Sequence, residues 1–335
     1  MNRPPESYVL VEEERLLRFS TTCFERAGLT SEHAQLISRL LVNSDLRGVR
    51  SHGTRTVNGY CGGFENGSLN PKPDLQTLSQ SPTSAVLDGD GTLGYLPMVR
   101  AAERAIAKAQ EVGVGLGLVR NIGHYGSAGH YARICLDAGC IGFSVQGYQG
   151  QGKASRNGDK PQLGYFGNPP ISFAIPGKNE PPVVLDAATC IMADYQRGET
   201  YDQLLSLIPA AFFKSIGYTA IASLLGGGLT GFTSPENETV QEKWLGARMG
   251  GMVLAIHIGT VVPEELFFAE VDRMVRDVRE TYRPLPGTDQ ALLPGAIEEE
   301  QFAFHRQKGI RYGETEQTSA RTASQRLGVS LPWDE

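Results

Sequence analysis

The stretch "LDGDGTLGY", Leu87 to Tyr95, decides how the fold is read. It contains Gly89-x-Gly91-x-x-Gly94, follows the strand-like "TSAVL" and leads into an amphipathic segment, the setting that a dinucleotide-binding strand–turn–helix requires. In such a unit the helix begins within the glycine turn, so that its free N–H groups face a pyrophosphate, and an acid about 20 residues on holds the ribose hydroxyls. Pro97 is best accommodated at the first helical position, which places the expected helix start beyond Gly94. The next strand ends in Arg120-Asn121, not in an acid, although an arginine there could suit a 2′-phosphate. Glycine is abundant, 40 of 335 residues, and the pattern recurs at Gly226-x-Gly228-x-x-Gly231. A Rossmann unit stays open as an alternative; a tight strand-to-helix connection is the better reading.

Composition narrows the classes. The chain is 40% apolar and 20% charged, that of a globular protein able to build a full core. With 31 basic against 37 acidic side chains it has no field that would draw in nucleic acid or anionic lipid. The opening "MNRPPESYVLVEEERLL" lacks the apolar core of a secretory leader and carries acids that a transit peptide avoids, so a cytoplasmic location is expected. Ser215 to Phe232 is uncharged over 18 residues but diluted by five glycines, which suits a buried, closely packed helix better than a membrane span. Five cysteines without paired spacing are expected to be reduced thiols, and no histidine or cysteine group has metal-ligand spacing.

Helices are expected over Val11–Arg26 and over Ser31–Leu46, with Ser31 as N-cap. A strand at Ser84–Leu87 then leads to a helix with Met98, Ala102, Ala105, Ala109 and Val112 on one face. Strands are expected at "GVGLGLVR", "CIGFSVQ", "ISFAIPG" and "PVVLDAATC", with a helix at Tyr131–Ala138 and a long Gly/Pro-rich loop from Tyr148 to Pro170. An apolar helix at Ile216–Leu229, an amphipathic one at Glu264–Thr281 and two short helical pieces complete the chain. Strand, helix, strand recurs, which points to an α/β sheet with crossovers.

Chemistry gathers in four places. His124, in "RNIGHYGSAGHYA", lies beyond the end of a strand between Gly123 and Gly126, and histidine suits proton exchange near neutrality; a histidine that merely caps the turn fits the same spacing. In "DLRGVRSHGTR", Arg47, Arg50, Ser51, His52 and Arg55 crowd together and could hold a carboxylate, though a solvated basic helix end also fits. Asp186 ends a very apolar strand, where a charge must be paired or used, and Lys214 opens an apolar helix, where a functional role and simple snorkelling both fit.

Taken in order, "DLRGVRSHG", "GHYGSAG", "GNPPISFAIPG", "VVLDAATC" and "FFKSIGYTAIASLLGGGLTG" resemble the type-2 malate/L-lactate dehydrogenase family, from about residue 10 to residue 283. The resemblance implies an α/β, non-Rossmann sandwich with a mixed sheet flanked by helices. It implies one chain with an N-terminal helical segment at 10–60, a cofactor-binding core at 80–260 and C-terminal helices and tail at 261–335. It further implies a homodimer that binds NAD or NADP and a small-molecule substrate; no metal, nucleic acid or membrane is expected, on the spacing, charge and composition given above. His124 is then the general acid/base and His52 the substrate-side histidine. Arg47, Ser51, Arg55 and Thr56 fall on the substrate side, and Tyr125, Gly126, Tyr148, Asp186, Ala187, Ala188 and Lys214 at positions that touch the cofactor.

Departures from the family pattern accompany the likeness. The arginine usual four residues after the SHG histidine is Thr56, with Arg55 one step early; "GTNP" reads "GNPP" at Gly167 to Pro170; "KGYG" reads "KSIG"; the acid usual later in that helix is Ser223. The segment between Asp186 and Lys214 is shortened, which removes part of the usual pocket wall. The expected activity is NAD(P)-dependent reduction of a C=O or C=N bond next to a carboxylate or amide, or the reverse, on a non-standard substrate. The alternative is a catalytically altered or inactive relative acting as a binding or structural partner.

Overall fold

The computed structural model describes residues 4–148, 168–192, 196 and 198–334, with the side chain of Tyr148 outside that description. The chain opens with β1 (Tyr8–Val11), α1 (Glu13–Arg26), α2 (Ser31–Leu46), two 3-10 turns at Arg50–His52 and Thr54–Thr56, and α3 (Val57–Glu65). Then come β2 (Gln76–Gln80), β3 (Ser84–Asp88), α4 (Tyr95–Val112), β4 (Val114–Ile122), α5 (Gly129–Ile134), β5 (Cys140–Tyr148), β6 (Pro170–Ile175) and β7 (Val183–Ala188). The second half carries α6 (Glu199–Leu207), α7 (Pro209–Gly226), α8 (Glu238–Lys243), β8 (Met249–His257), α9 (Glu264–Thr281), α10 (Ala296–Lys308), β9 (Ile310–Gly313) and α11 (Glu314–Leu327).

Among the described residues, seven strands form one mixed sheet in the order β2-β3-β4-β8-β5-β6-β7. Only β3 and β4 run parallel, joined through α4; the other adjacent pairs are antiparallel. The crossover reading therefore holds for a single unit. Helix α4 presses onto β4 because that strand carries glycine where the helix passes: a Cβ on Gly117 would lie 2.3 Å from the Ala101 carbonyl oxygen. Met98, Ala101, Ala102, Ala105 and Ala109 are fully buried in that layer with Tyr125 and Tyr131. The opposite face packs Leu118, Phe143, Val145 and Met252 against Ala222 of α7. The two ends of the chain share another core, since β1 pairs with β9 and α11 packs with α1 and α3.

The glycine turn behaves otherwise than the proline implied. Helix α4 starts at Tyr95, directly after Gly94, with Pro97 as its third residue. The missing N–H is still one of the four that lack an intrahelical acceptor, so proline is tolerated there. The turn is nonetheless closed to a ligand. Gly89, Gly91 and Gly94 donate their N–H groups to Arg120, Asn121 and His124 carbonyls at 2.9, 2.9 and 3.0 Å. A Cβ on Gly91, at φ +79°, would lie 2.1 Å from the Trp244 ring, and one on Gly94 2.5 Å from Tyr125 Cβ. Arg120 pairs with Asp88 and Glu236.

Other expectations are corrected locally. Thr30, not Ser31, caps α2, its hydroxyl accepting from the His33 N–H at 3.3 Å. Helix α7 begins at Pro209, so Lys214 sits inside it, exposed, instead of opening it. One face of α7 is open rather than buried, with Phe213, Tyr218, Ile221 and Leu224 exposed. Strand β7 lies at the sheet edge, which leaves Asp186 exposed. The C-terminal pieces α10 and α11 span 13 and 14 residues. All five cysteines are buried, and among the described residues no single helix is long and apolar enough to cross a membrane.

Candidate active site

The turn after β4 and the 3-10 turns after α2 bring the two expected histidines together. The rings of His52 and His124 stack with centroids 5.6 Å apart and an interplanar angle of 26°. The His52 segment is held from beneath by fully buried Asp45, whose carboxylate accepts from the Thr54 N–H at 2.9 Å and the Thr54 hydroxyl at 2.6 Å. No side chain fits at Gly53, where a Cβ would lie 1.8 Å from Asp45 Oδ1. Ser51 meets His52 Nδ1 at 2.8 Å. Burial lowers the His52 pKa; the Asp186 carboxylate opposes that and the Arg55 guanidinium adds to it. Arg55 is exposed, yet its charge is felt at the ring.

His124 is anchored through Nδ1, which lies 2.6 Å from the Tyr60 hydroxyl and 3.3 Å from the Gly126 nitrogen. Burial, with the His52 ring beside it, lowers the His124 pKa to about 4. At neutral pH it is an uncharged imidazole. Tyr60, on α3, was not singled out from the sequence; it stands four residues after Thr56, one helical turn away. The Thr56 hydroxyl donates to the Gly53 carbonyl at 2.8 Å, so the position where the resemblance expects a carboxylate-holding arginine makes a turn-closing bond instead.

Asp186 joins the histidine pair to the sheet edge. The Ser127 hydroxyl donates to its Oδ2, and a Cβ on Gly129 would come within 2.6 Å of the same oxygen. Ala187 and Ala188 follow on the same edge strand, half-buried and exposed. Beside Asp186 lies a cavity of about 460 Å³, walled by Ser44, Arg47, Ser127, Arg133 and Arg283 among others. Arg47 donates to Glu299 Oε1 at 2.6 Å, Arg133 reaches the same oxygen, and the Arg47 guanidinium lies 4.6 Å over the Phe302 ring. Arg47 is thus engaged while still facing the cavity.

Two expected cofactor contacts do not fit as drawn. Tyr125 is fully buried, its ring 4.9 Å from that of Tyr131, and offers no side-chain surface to a bound molecule. Gly126 spends its N–H on His124. Tyr148 ends β5, its side chain lying outside the described residues along with Gly167 of the "GNPP" turn. Lys214 is exposed on α7 with no ion-pair partner among the described residues. Nor do the described residues contain a group of three potential metal ligands.

The donor set fits a nicotinamide dinucleotide: Asp186 is an exposed acceptor for amide or ribose hydrogens, and arginines line the adjoining cavity where phosphates need cations. Fold and site together define an α/β protein with two stacked histidine rings at the turn that follows an interior strand of a mixed sheet. The sequence pattern described as malate/L-lactate dehydrogenase matches residues 11–203. The malate dehydrogenase of Pyrococcus horikoshii is 28% identical over 307 residues, covering 82% of this chain and 83% of its own length. The NAD(+)-dependent ureidoglycolate dehydrogenase of Escherichia coli (strain K12) is 27% identical over 294 residues, covering 81% and 83%. The solved structure of malate dehydrogenase from Pyrococcus horikoshii OT3 matches with a TM-score of 0.84 at 25% identity, covering 99% of each chain. The chain belongs to the malate/L-lactate dehydrogenase family. It is an NAD(P)-dependent dehydrogenase or reductase.

Proposed function

We propose that this enzyme reduces a C=O or C=N bond next to a carboxylate or amide, or runs the reverse oxidation, with His124 as the proton carrier. The observation that carries the reading is the stacked His52–His124 pair beside Asp186 at the sheet edge. When bound, the nicotinamide supplies or accepts the hydride. His124 exchanges the proton at the substrate oxygen or nitrogen. His52, held by Ser51 and by the Asp45-braced turn, orients the substrate from the other side. Asp186, with Ala187 and Ala188, and Lys214 hold the cofactor; Arg55 and Arg47 supply positive charge on the substrate side.

Thr56 supports a substrate outside the malate and lactate type, because no guanidinium stands at that position to grip the carboxylate bidentately. The same reading includes a cytoplasmic homodimer built on the open apolar face of α7. A panel of 2-oxo acids and cyclic imine carboxylates, scored by oxidation of NADH and NADPH, tests the activity. Turnover on one of them that vanishes in His124→Ala supports it. Turnover that survives the substitution overturns the role of His124.

A further inference from the structure

The hydrogen bonds at His124 Nδ1 dictate where the ring keeps its proton. The Gly126 N–H points at Nδ1 at 3.3 Å, and a backbone amide can only donate, so this nitrogen presents its lone pair. Glycine is what permits the approach: residue 126 has φ +81°, and a Cβ there would lie 2.4 Å from the Tyr95 hydroxyl. The Tyr60 hydroxyl is 2.6 Å from the same nitrogen, and with Nδ1 accepting, the phenol must donate. The Tyr60 oxygen in turn faces the Tyr95 hydroxyl at 3.3 Å, which is left as the donor. Burial keeps Tyr60 a phenol, its pKa pushed up to about 12. A neutral imidazole whose Nδ1 lone pair is occupied carries its single proton on Nε2.

Resting on the reading of His124 as proton carrier, we propose that Tyr60 is a positioning residue that locks His124 in the Nε2–H tautomer. The resting enzyme is thereby set to receive the oxidised partner. A carbonyl oxygen or imine nitrogen brings the lone pair that an N–H requires. A substrate alcohol meets that same N–H where it needs a base. Of the two directions the reaction can take, the ring is prepared for reduction: as the Nε2 proton passes to the substrate, the Tyr60 hydroxyl proton moves to Nδ1, the ring stays neutral, and the Tyr95 hydroxyl faces the charge left on the Tyr60 oxygen.

The test is nitrogen NMR of the full-length protein labelled at histidine, the His124 signals being assigned by their loss in His124→Gln. The wild-type ring should show a protonated Nε2 and an unprotonated Nδ1. Tyr60→Phe keeps the aromatic ring and removes the donor, so the spectrum should move toward a mixture of tautomers. In the same variant kcat for reduction should fall by about tenfold with little change in the KM for the nicotinamide, the loss of one buried hydrogen bond. A wild-type ring protonated at Nδ1 overturns the proposal, and that spectrum decides it even should Tyr60→Phe fail to fold. A folded Tyr60→Phe protein with the wild-type tautomer also overturns it. Turnover retained in His124→Ala would instead remove the catalytic reading and leave the tautomer result standing.

Discussion

Replacing Gly91 by alanine separates a packing role for the glycine turn from a cofactor-binding one. Residue 91 has φ +79°, and an added Cβ would lie 2.1, 2.3 and 2.7 Å from three side-chain atoms of Trp244. A left-handed backbone costs an L-residue about 1–2 kcal/mol. Forcing an extra methyl into a filled site costs about 1–3 kcal/mol more. The expected loss is therefore about 2–5 kcal/mol, read as a fall in the urea midpoint with the slope unchanged; at a slope of about 2–3 kcal/mol per M this is roughly 1–2 M. Trimming the obstructing ring in Gly91→Ala/Trp244→Ala should show a favourable coupling of about 0.5–3 kcal/mol. The folded Gly91→Ala protein should bind NADH as the wild type does. An unchanged midpoint together with lost NADH binding would refute the packing role and restore a pyrophosphate site at Gly89–Gly94.

Glu299→Gln removes the carboxylate shared by Arg47 and Arg133, whose side chains are only 16% and 14% exposed, and should cost about 3 kcal/mol or more in thermal unfolding. On the acid side, burial lowers His33 and His124 to about 4 and His130 to about 3. Between pH 6.5 and 4 the unfolded chain takes protons that the folded chain refuses, so stability should fall across that window as pH falls, each tenfold difference in proton affinity being worth about 1.4 kcal/mol. Asp45, pushed up to about 7 by burial, opposes this between its ordinary pKa of 3.8 and 7, where the folded chain holds the extra proton. Asp45→Asn should accordingly steepen the acid loss in urea midpoints recorded against pH; a shallower profile would contradict this. The wild type should sediment as the proposed homodimer and Phe213→Glu combined with Ile221→Glu as a monomer; a wild-type monomer, or a variant that sediments unchanged, would contradict an interface on α7.

Much of the site was legible because its chemistry is local. The glycine-flanked turn at His124 and the arginine-rich segment at His52 announce themselves, and the structure stacks the two rings. What escaped depends on distant partners. Strand β8, at the centre of the sheet, begins with Met249-Gly250-Gly251, a poor strand signal that becomes sensible only beside Met98, whose sulfur would lie 2.5 Å from a Cβ on Gly251. Asp186 looked buried because its own strand is apolar; that it lies at an edge depends on strand order, which local pattern does not encode. Tyr60 resembles any aromatic on a short helix until His124, 64 residues on, arrives at its hydroxyl. The shared carboxylate of Glu299 likewise bridges α2 and α5 from a part of the chain where periodicity gives only a surface helix.

The central claim, that His124 exchanges a proton while a nicotinamide binds alongside, is tested most directly by one paired measurement. Purified wild-type protein and His124→Ala are titrated with NADH and NADPH by fluorescence, and each loaded protein is then mixed with the best oxidised substrate in a single-turnover experiment. We expect both proteins to bind the same cofactor with similar affinity, and hydride transfer to fall by about 10²–10⁴ in the variant. Failure of the wild type to bind either cofactor at millimolar concentration, or an equal transfer rate in the two proteins, would contradict it.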